Sequence, residues 1–149
     1  MNIVIGVDPD SDKHAVAIYE DGELKYLQTH DLYDIIKTYL ECGIFDNALW
    51  SVEDVMRNQF VYARNTNRNK TVQSKIAMFT GRNQQSFVEL KRMLDVYGAK
   101  YELHPPQKGN WAKNKAQFEK VTGWTGRSNE DTRSAAFFGW LALQTQNRG

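Results

Sequence analysis

Residues 2–30, NIVIGVDPDSDKHAVAIYEDGELKYLQTH, decide the fold. IVIGVD (3–8) is a β-branched run that stops at an acid, PDSDK (9–13) is dense in turn formers, and HAVAIYE (14–20) resumes with alternating small and branched residues. Asp21-Gly22 is a hairpin signal, after which ELKYLQTH (23–30) reads as a third strand. The stretch predicts an antiparallel meander. Beyond it, Asp31 caps a helix whose apolar residues Leu32, Ile35, Ile36, Tyr39 and Leu40 follow helical spacing, and Gly43 closes it. ALWSVED (48–54) is then a fourth strand ending in carboxylates. Residues 55–69 are polar, rich in Asn and Arg and without a clean period, which predicts a long functional or mobile loop.

Residues 70–97 read as helix, interrupted near Gly81, with Val72, Ile76, Phe79, Phe87, Leu90, Met93, Leu94 and Tyr97 as apolar positions and Gly98 at its end. KYELH (100–104) is a fifth strand stopped by Pro105-Pro106. Asn110 is placed to cap a helix running to Thr122. After a turn through Gly123, Trp124 and Gly126, the nearly continuous AAFFGWLAL (135–143) marks a buried final helix over 129–146. A meander followed by alternating helices and strands predicts an α/β protein: a five-stranded mixed sheet, antiparallel at its N-terminal side, with helices on its faces.

The chain has 149 residues, 41% of them hydrophobic, which suits one packed domain over 1–149. No stretch approaches the roughly 20 apolar residues of a membrane span, and MNIVIGVDPD reaches acids too early for a signal peptide, so a soluble cytoplasmic protein with no membrane partner is expected. The single cysteine, Cys42, excludes an internal disulfide and a Cys-rich zinc site. A net charge of +1 hides a polarised distribution. Residues 1–56 carry 3 basic and 12 acidic side chains, whereas 57–92 carry 8 basic residues against Glu89 alone. Such a middle either binds a polyanion beside an acidic, cation-holding site or is a solvated, charge-studded helix.

Three acids stand out by position: Asp8 at the end of the first strand, Glu53 at the end of the fourth, and Asp131 in the first turn of the last helix. With strands one and four adjacent, all three meet at one sheet edge. Clustered carboxylates repel unless cations compensate them, and hard oxygen ligands suit two Mg²⁺ or Mn²⁺ ions about 4 Å apart, an arrangement that cleaves phosphodiesters. Each acid also has a plainer reading: Asp8 as a turn residue, Glu53 as a solvated strand end, Asp131 in a capping box with Ser128. An EF-hand loop starting at Asp8 fails, because Lys13 stands where Gly is needed and Tyr19 where Glu is needed.

IVIGVDPDSDKHAVAIYEDGEL, SVEDV, the lysine-bearing AKNKAQFEKVTG and EDTRSAAFFGW fall in the order and approximate spacing of RuvC-type Holliday-junction resolvases, which the chain resembles over almost its whole length. The resemblance implies a ribonuclease H-like fold and a Mg²⁺- or Mn²⁺-dependent endonuclease acting on four-way DNA junctions as a homodimer. It makes Asp8, Glu53 and Asp131 the metal-binding carboxylates. The family's fourth acid falls here on Ser134, which can hold a metal-bound water, with Asp54 or Glu130 as substitutes for its charge. Asp10 replaces the usual glycine after DP and either tightens or obstructs the pocket. Lys115 matches a basic residue near the scissile phosphate, or is an exposed helix lysine; Lys108 and Lys113 are weaker candidates of the same kind. Met56 or Phe60 matches the apolar residue inserted at the junction centre, with core packing as the alternative for Phe60. Arg57, Arg64, Arg68, Lys70, Lys75 and Arg82 would form the phosphate-binding surface. The long helix over 70–97 is the candidate dimer interface, with its apolar positions all packed in the core as the alternative. Competing expectations are a nuclease for RNA–DNA hybrids, flaps or branched DNA, and a catalytically weak junction-binding protein. The meander also resembles the phosphate-binding hairpin of sugar kinases and actin-like ATPases, but those need a second domain around the nucleotide.

Overall fold

The structure is a computed structural model that describes residues 1–57 and 70–148; of 70–77, 79, 80 and 148 it describes the backbone course alone. Five strands form one sheet: β1 (Ile3–Asp8), β2 (His14–Glu20), β3 (Glu23–His30), β4 (Leu49–Glu53) and β5 (Lys100–His104), in the order β3-β2-β1-β4-β5. β1 pairs antiparallel with β2, and β2 with β3, as the meander predicts. β4 joins β1 in parallel, Val7 opposite Val52, and β5 joins β4 in parallel. The carboxyl ends of β1, β4 and β5 therefore leave the sheet along a single edge.

The side-chain alternation of each strand divides the core in two. Ile5, Val7, Trp50 and Val52 face one side, where they pack with Ile35, Tyr39, Phe87, Leu90 and Leu94. These come from α1 (Leu32–Ile35), the π-helical turn Ile36–Leu40 that continues it, and α2 (Lys70–Val96). On the other side Val4, Ala15, Ala17 and Tyr19 pack with Phe118 of α3 (Lys115–Thr122) and with Ala135, Ala136, Phe137, Ala142 and Leu143 of α4 (Glu130–Arg148). Trp111, in the loop before α3, completes that cluster through edge and tilted contacts with Phe118, Phe137 and Trp140.

Two glycines set how closely α4 approaches the sheet. A Cβ on Gly6 would fall against the carbonyl oxygen of Ala135 and 2.6 Å from the nitrogen of Gly139; one on Gly139 would fall 2.6 Å from the ring of Tyr19. The gap is closed by polar contacts to the α4 backbone: Tyr19 Oη donates to the Ala136 carbonyl and Ser51 Oγ to that of Phe138, both at 2.6 Å.

Several local expectations change. Asp31 caps α1 as expected, accepting from the Asp34 amide at 2.8 Å, but helical structure ends at Leu40, ahead of Gly43. α2 runs through Gly81 without a break, because a single glycine costs a helix only about 1 kcal/mol and Phe87, Leu90 and Leu94 anchor it. Asn110 does not cap the next helix: its side chain closes a tight turn onto the Ala112 amide, and Asn114 caps α3. Ser128 and Asp131 form no capping box. Asn129 and Thr132 do, each side chain accepting from the other's amide at 2.8 and 2.9 Å, which leaves Asp131 without a capping duty.

Candidate active site

Alternation along the strands aims the two strand-end acids. Gly6 and Asp8 lie on the α4 side of β1, and Ser51 and Glu53 lie on the α4 side of β4. Asp8 and Glu53 are thus neighbours at the edge where both strands stop, and α4 begins above them with Asp131 at the exposed rim. All three line a cavity of about 200 Å³, together with Pro9, Asp10, Val55, Asn83 and Gln84. Asp8 feels Glu53, Asp131 and Asp10; Glu53 feels Asp131; Asp131 feels Asp10 and Glu130. Burial, then the Glu53 charge, pushes the Asp8 carboxyl up to about 8. Burial, then Asp131, pushes Glu53 up to about 7, and burial first also raises Asp131. Arg82 apart, none of these three acids is ion-paired with a described lysine, arginine or histidine.

Ser134 is buried under the site, and its hydroxyl lies close enough to the Asp8 carboxyl to lower it, which partly opposes the rise. The Asn110 side-chain amide reaches Ser134 Oγ at 3.5 Å. At the position where the resemblance predicts a fourth acid there is thus a buried hydroxyl beside Asp8, which adds no charge. The substitutes proposed for that charge sort themselves by geometry. Asp54 is one residue past Glu53 and so faces the opposite side of the sheet, where it accepts from the Met56 amide and pairs with Arg57 at 3.2 Å. Glu130 acts on Asp131 but does not line the cavity. Asp10 does line it, so the fourth carboxylate comes from the β1–β2 turn. That turn is fixed from the other side of the sheet: Ser86 of α2 donates to the Asp10 carbonyl at 2.6 Å, and its oxygen lies 3.4 Å from Nε2 of the buried His14. Burial pushes the His14 imidazole down to about 4, so it stands neutral in this contact.

Of the basic candidates, Arg57, Arg82, Lys108, Lys113 and Lys115 are exposed. Lys115 opens α3, 4.0 Å from Glu119, and is not among the cavity-lining residues. Lys108 and Lys113 lie in the loop that follows β5, which Arg133 of α4 clamps by donating to the Ala112 carbonyl from Nε and Nη2. Met56, 38% exposed, follows β4 and lines a separate groove with Phe87, Val88, Lys91, Arg92 and Leu103. Phe60, Arg64 and Arg68 lie outside the described residues, as do the side chains of Lys70 and Lys75. Asn83 and Gln84 are the cavity residues that sequence reading missed. Their signal was present as positions four and three before Phe87, on the core-facing side of a helix, but only the apolar positions of that helix were singled out.

No described helix is long and apolar enough to cross a membrane. A five-stranded mixed sheet of this order with helices on both faces and acids at the carboxyl edge is a ribonuclease H-like fold. Solved structures narrow it to a RuvC-like one. The chain is similar to RuvC of Thermus thermophilus in complex with a Holliday-junction substrate, with a TM-score of 0.59 at 12% identity over 99% of this chain and 96% of that one. A second Thermus thermophilus RuvC structure matches with a TM-score of 0.56 at 13% identity, over 98% and 96% of the two chains. No protein-family model matches the sequence, and no curated protein matches it either.

Proposed function

We propose that this chain is a metal-dependent, structure-selective endonuclease that resolves four-way DNA junctions, the whole of 1–149 forming one cytoplasmic nuclease domain. The observation that carries the reading is the group of four acids, Asp8, Asp10, Glu53 and Asp131, around one cavity at the strand ends of a RuvC-like fold. Two of them hold their protons into the neutral range, raised by burial and by the neighbouring acids. Hard oxygen donors with uncompensated negative charge fit Mg²⁺ or Mn²⁺. Among the described residues no three such side chains already converge as ligands on one point, so the fit is one of charge and donor type. Asp8, Glu53 and Asp131 would hold the ions, with Asp10 adding the charge that Ser134 lacks.

When bound, a pair of divalent ions supplies an activated water and stabilises the departing oxygen. The chain's own groups do the rest. The buried Ser134 hydroxyl would steady Asp8, and the Ser86 contact fixes the turn that carries Asp10. The exposed Lys108, Lys113, Arg57 and Arg82 would draw in phosphates with little sequence information, and the exposed Met56 would press between bases at the junction centre. Lys115 would contact DNA beside the cut phosphate. Two-fold symmetric junctions call for a C2 homodimer, with α2 as its interface.

A labelled synthetic four-way junction incubated with Mg²⁺ or Mn²⁺ tests this. Paired, symmetric nicks that vanish in EDTA and in Asp8→Asn are expected. Equal or better cutting of an RNA–DNA hybrid would sink the junction specificity, and tight binding without nicks would leave a junction-binding protein.

A further inference from the structure

The same cavity has a second wall, and it has opposite hydrogen-bonding character. Asp8, Asp10, Glu53 and Asp131 accept when ionised, and the side chains of Pro9 and Val55 offer nothing. A phosphodiester's non-bridging oxygens also only accept. With the acids ionised, Asn83 and Gln84 are therefore the side-chain donors among the described residues lining the cavity.

Their position follows from helix geometry. Phe87, Leu90 and Leu94 bury α2 against the sheet, so residues one turn earlier, at 83 and 84, fall on the same side of the helix. There β1 and β4 have ended, and the two side chains meet the cavity in place of core. Ser86, between them and Phe87, bonds the Asp10 carbonyl and sets how far α2 stands from the acids. Both side chains are half buried, and among the described residues neither amide has a hydrogen-bond partner. Amides that share about 200 Å³ with four carboxylates and bond none of them leave room for a group between the two walls.

We infer that Asn83 and Gln84 donate hydrogen bonds to the scissile phosphate of the DNA strand held in this cavity, opposite the carboxylates. The inference rests on the nuclease reading and adds two substrate-contacting residues to it. An uncharged donor suits this place, because it orients the phosphate without forming an ion pair with the acids.

The test compares single-turnover cleavage of a four-way junction by wild type, Asn83→Ala, Gln84→Ala and the isosteric Asn83→Asp and Gln84→Glu, with junction affinity measured in EDTA and melting temperature as a fold control. Removing a donor to a charged oxygen is expected to slow cleavage about ten- to a hundredfold, with affinity and melting temperature unchanged. The acid variants, shape-matched but unable to donate, are expected to be slower still. Wild-type rates in both alanine variants would overturn the inference, as would acid variants as fast as wild type, which would mark the amides as oxygen ligands. A wild-type protein that cuts no junction removes the nuclease reading and this inference together, whereas a cutting wild type with indifferent variants removes this inference alone.

Discussion

A carboxyl group buried beside other acids keeps its proton where an exposed one has lost it, and Asp8 and Glu53, at about 8 and about 7, do so near neutrality. Between their ordinary values near 4 and these raised ones, the folded protein binds protons that the unfolded chain has released, so stability falls as pH rises through that window. In EDTA the melting temperature is expected to drop by a few degrees from pH 6.5 to pH 8, above the range in which the buried His14 acts in the opposite sense, with Asp8→Asn flattening the slope and Mg²⁺ restoring stability at pH 8. A melting temperature that rises over this range would remove the uncompensated acid cluster. The same charges predict the mutant pattern. Asp8→Asn, Glu53→Gln and Asp131→Asn are each expected to abolish cleavage while junction binding persists. Asp10→Asn is expected to weaken Mn²⁺ binding, read by calorimetry, and Ser134→Asp in that background to recover part of it. Unchanged Mn²⁺ affinity in Asp10→Asn would return Asp10 to the turn.

At the scale of elements, the site depends on α4 lying against β1, because Asp131 and Ser134 reach Asp8 only at that separation. Gly6 and Gly139 permit it. Gly6→Ala places a methyl group against the Ala135 and Gly139 backbone, which cannot rotate away, so a loss of about 1–3 kcal/mol is expected. Because α4 carries Asp131, cleavage should fall even where the variant remains folded. Gly109→Ala, whose Cβ would meet nothing within 4 Å, is the matched control and should melt like wild type. Denaturant melts of the two variants, read beside their cleavage rates, decide this. The helix boundaries carry a related lesson. The Ser128–Asp131 pattern satisfies the capping-box spacing, yet Asn129 and Thr132 form the box, since the choice rests on where the preceding loop enters the helix.

At the scale of the molecule, the acidic first third supplies three of the four cavity acids, and the basic middle begins directly after β4. Junction affinity should therefore fall linearly with salt on logarithmic axes. Replacing Lys108 and Lys113 with alanine together is expected to make that slope shallower by about 2, leaving Mn²⁺ binding untouched. An unchanged slope would take both lysines off the DNA path. Sedimentation of the free protein tests the homodimer: a monomer at working concentration would require that the junction itself assemble the pair.

The five strands, their meander start and the three acids at strand and helix ends were legible in the residues alone, because period-2 alternation, turn residues and helix signals are local. It also marked Ser134 and Asp10 as the positions where the acid pattern departs. What those departures do rests on the packed fold: Ser134 is buried beside Asp8, while Asp10 is held at the cavity by Ser86, 76 positions away. It alone brought Asn83 and Gln84 to the acids. Their place depends on how far α2 runs past the sheet edge, a distance set by packing between segments remote in the chain, which no local pattern encodes.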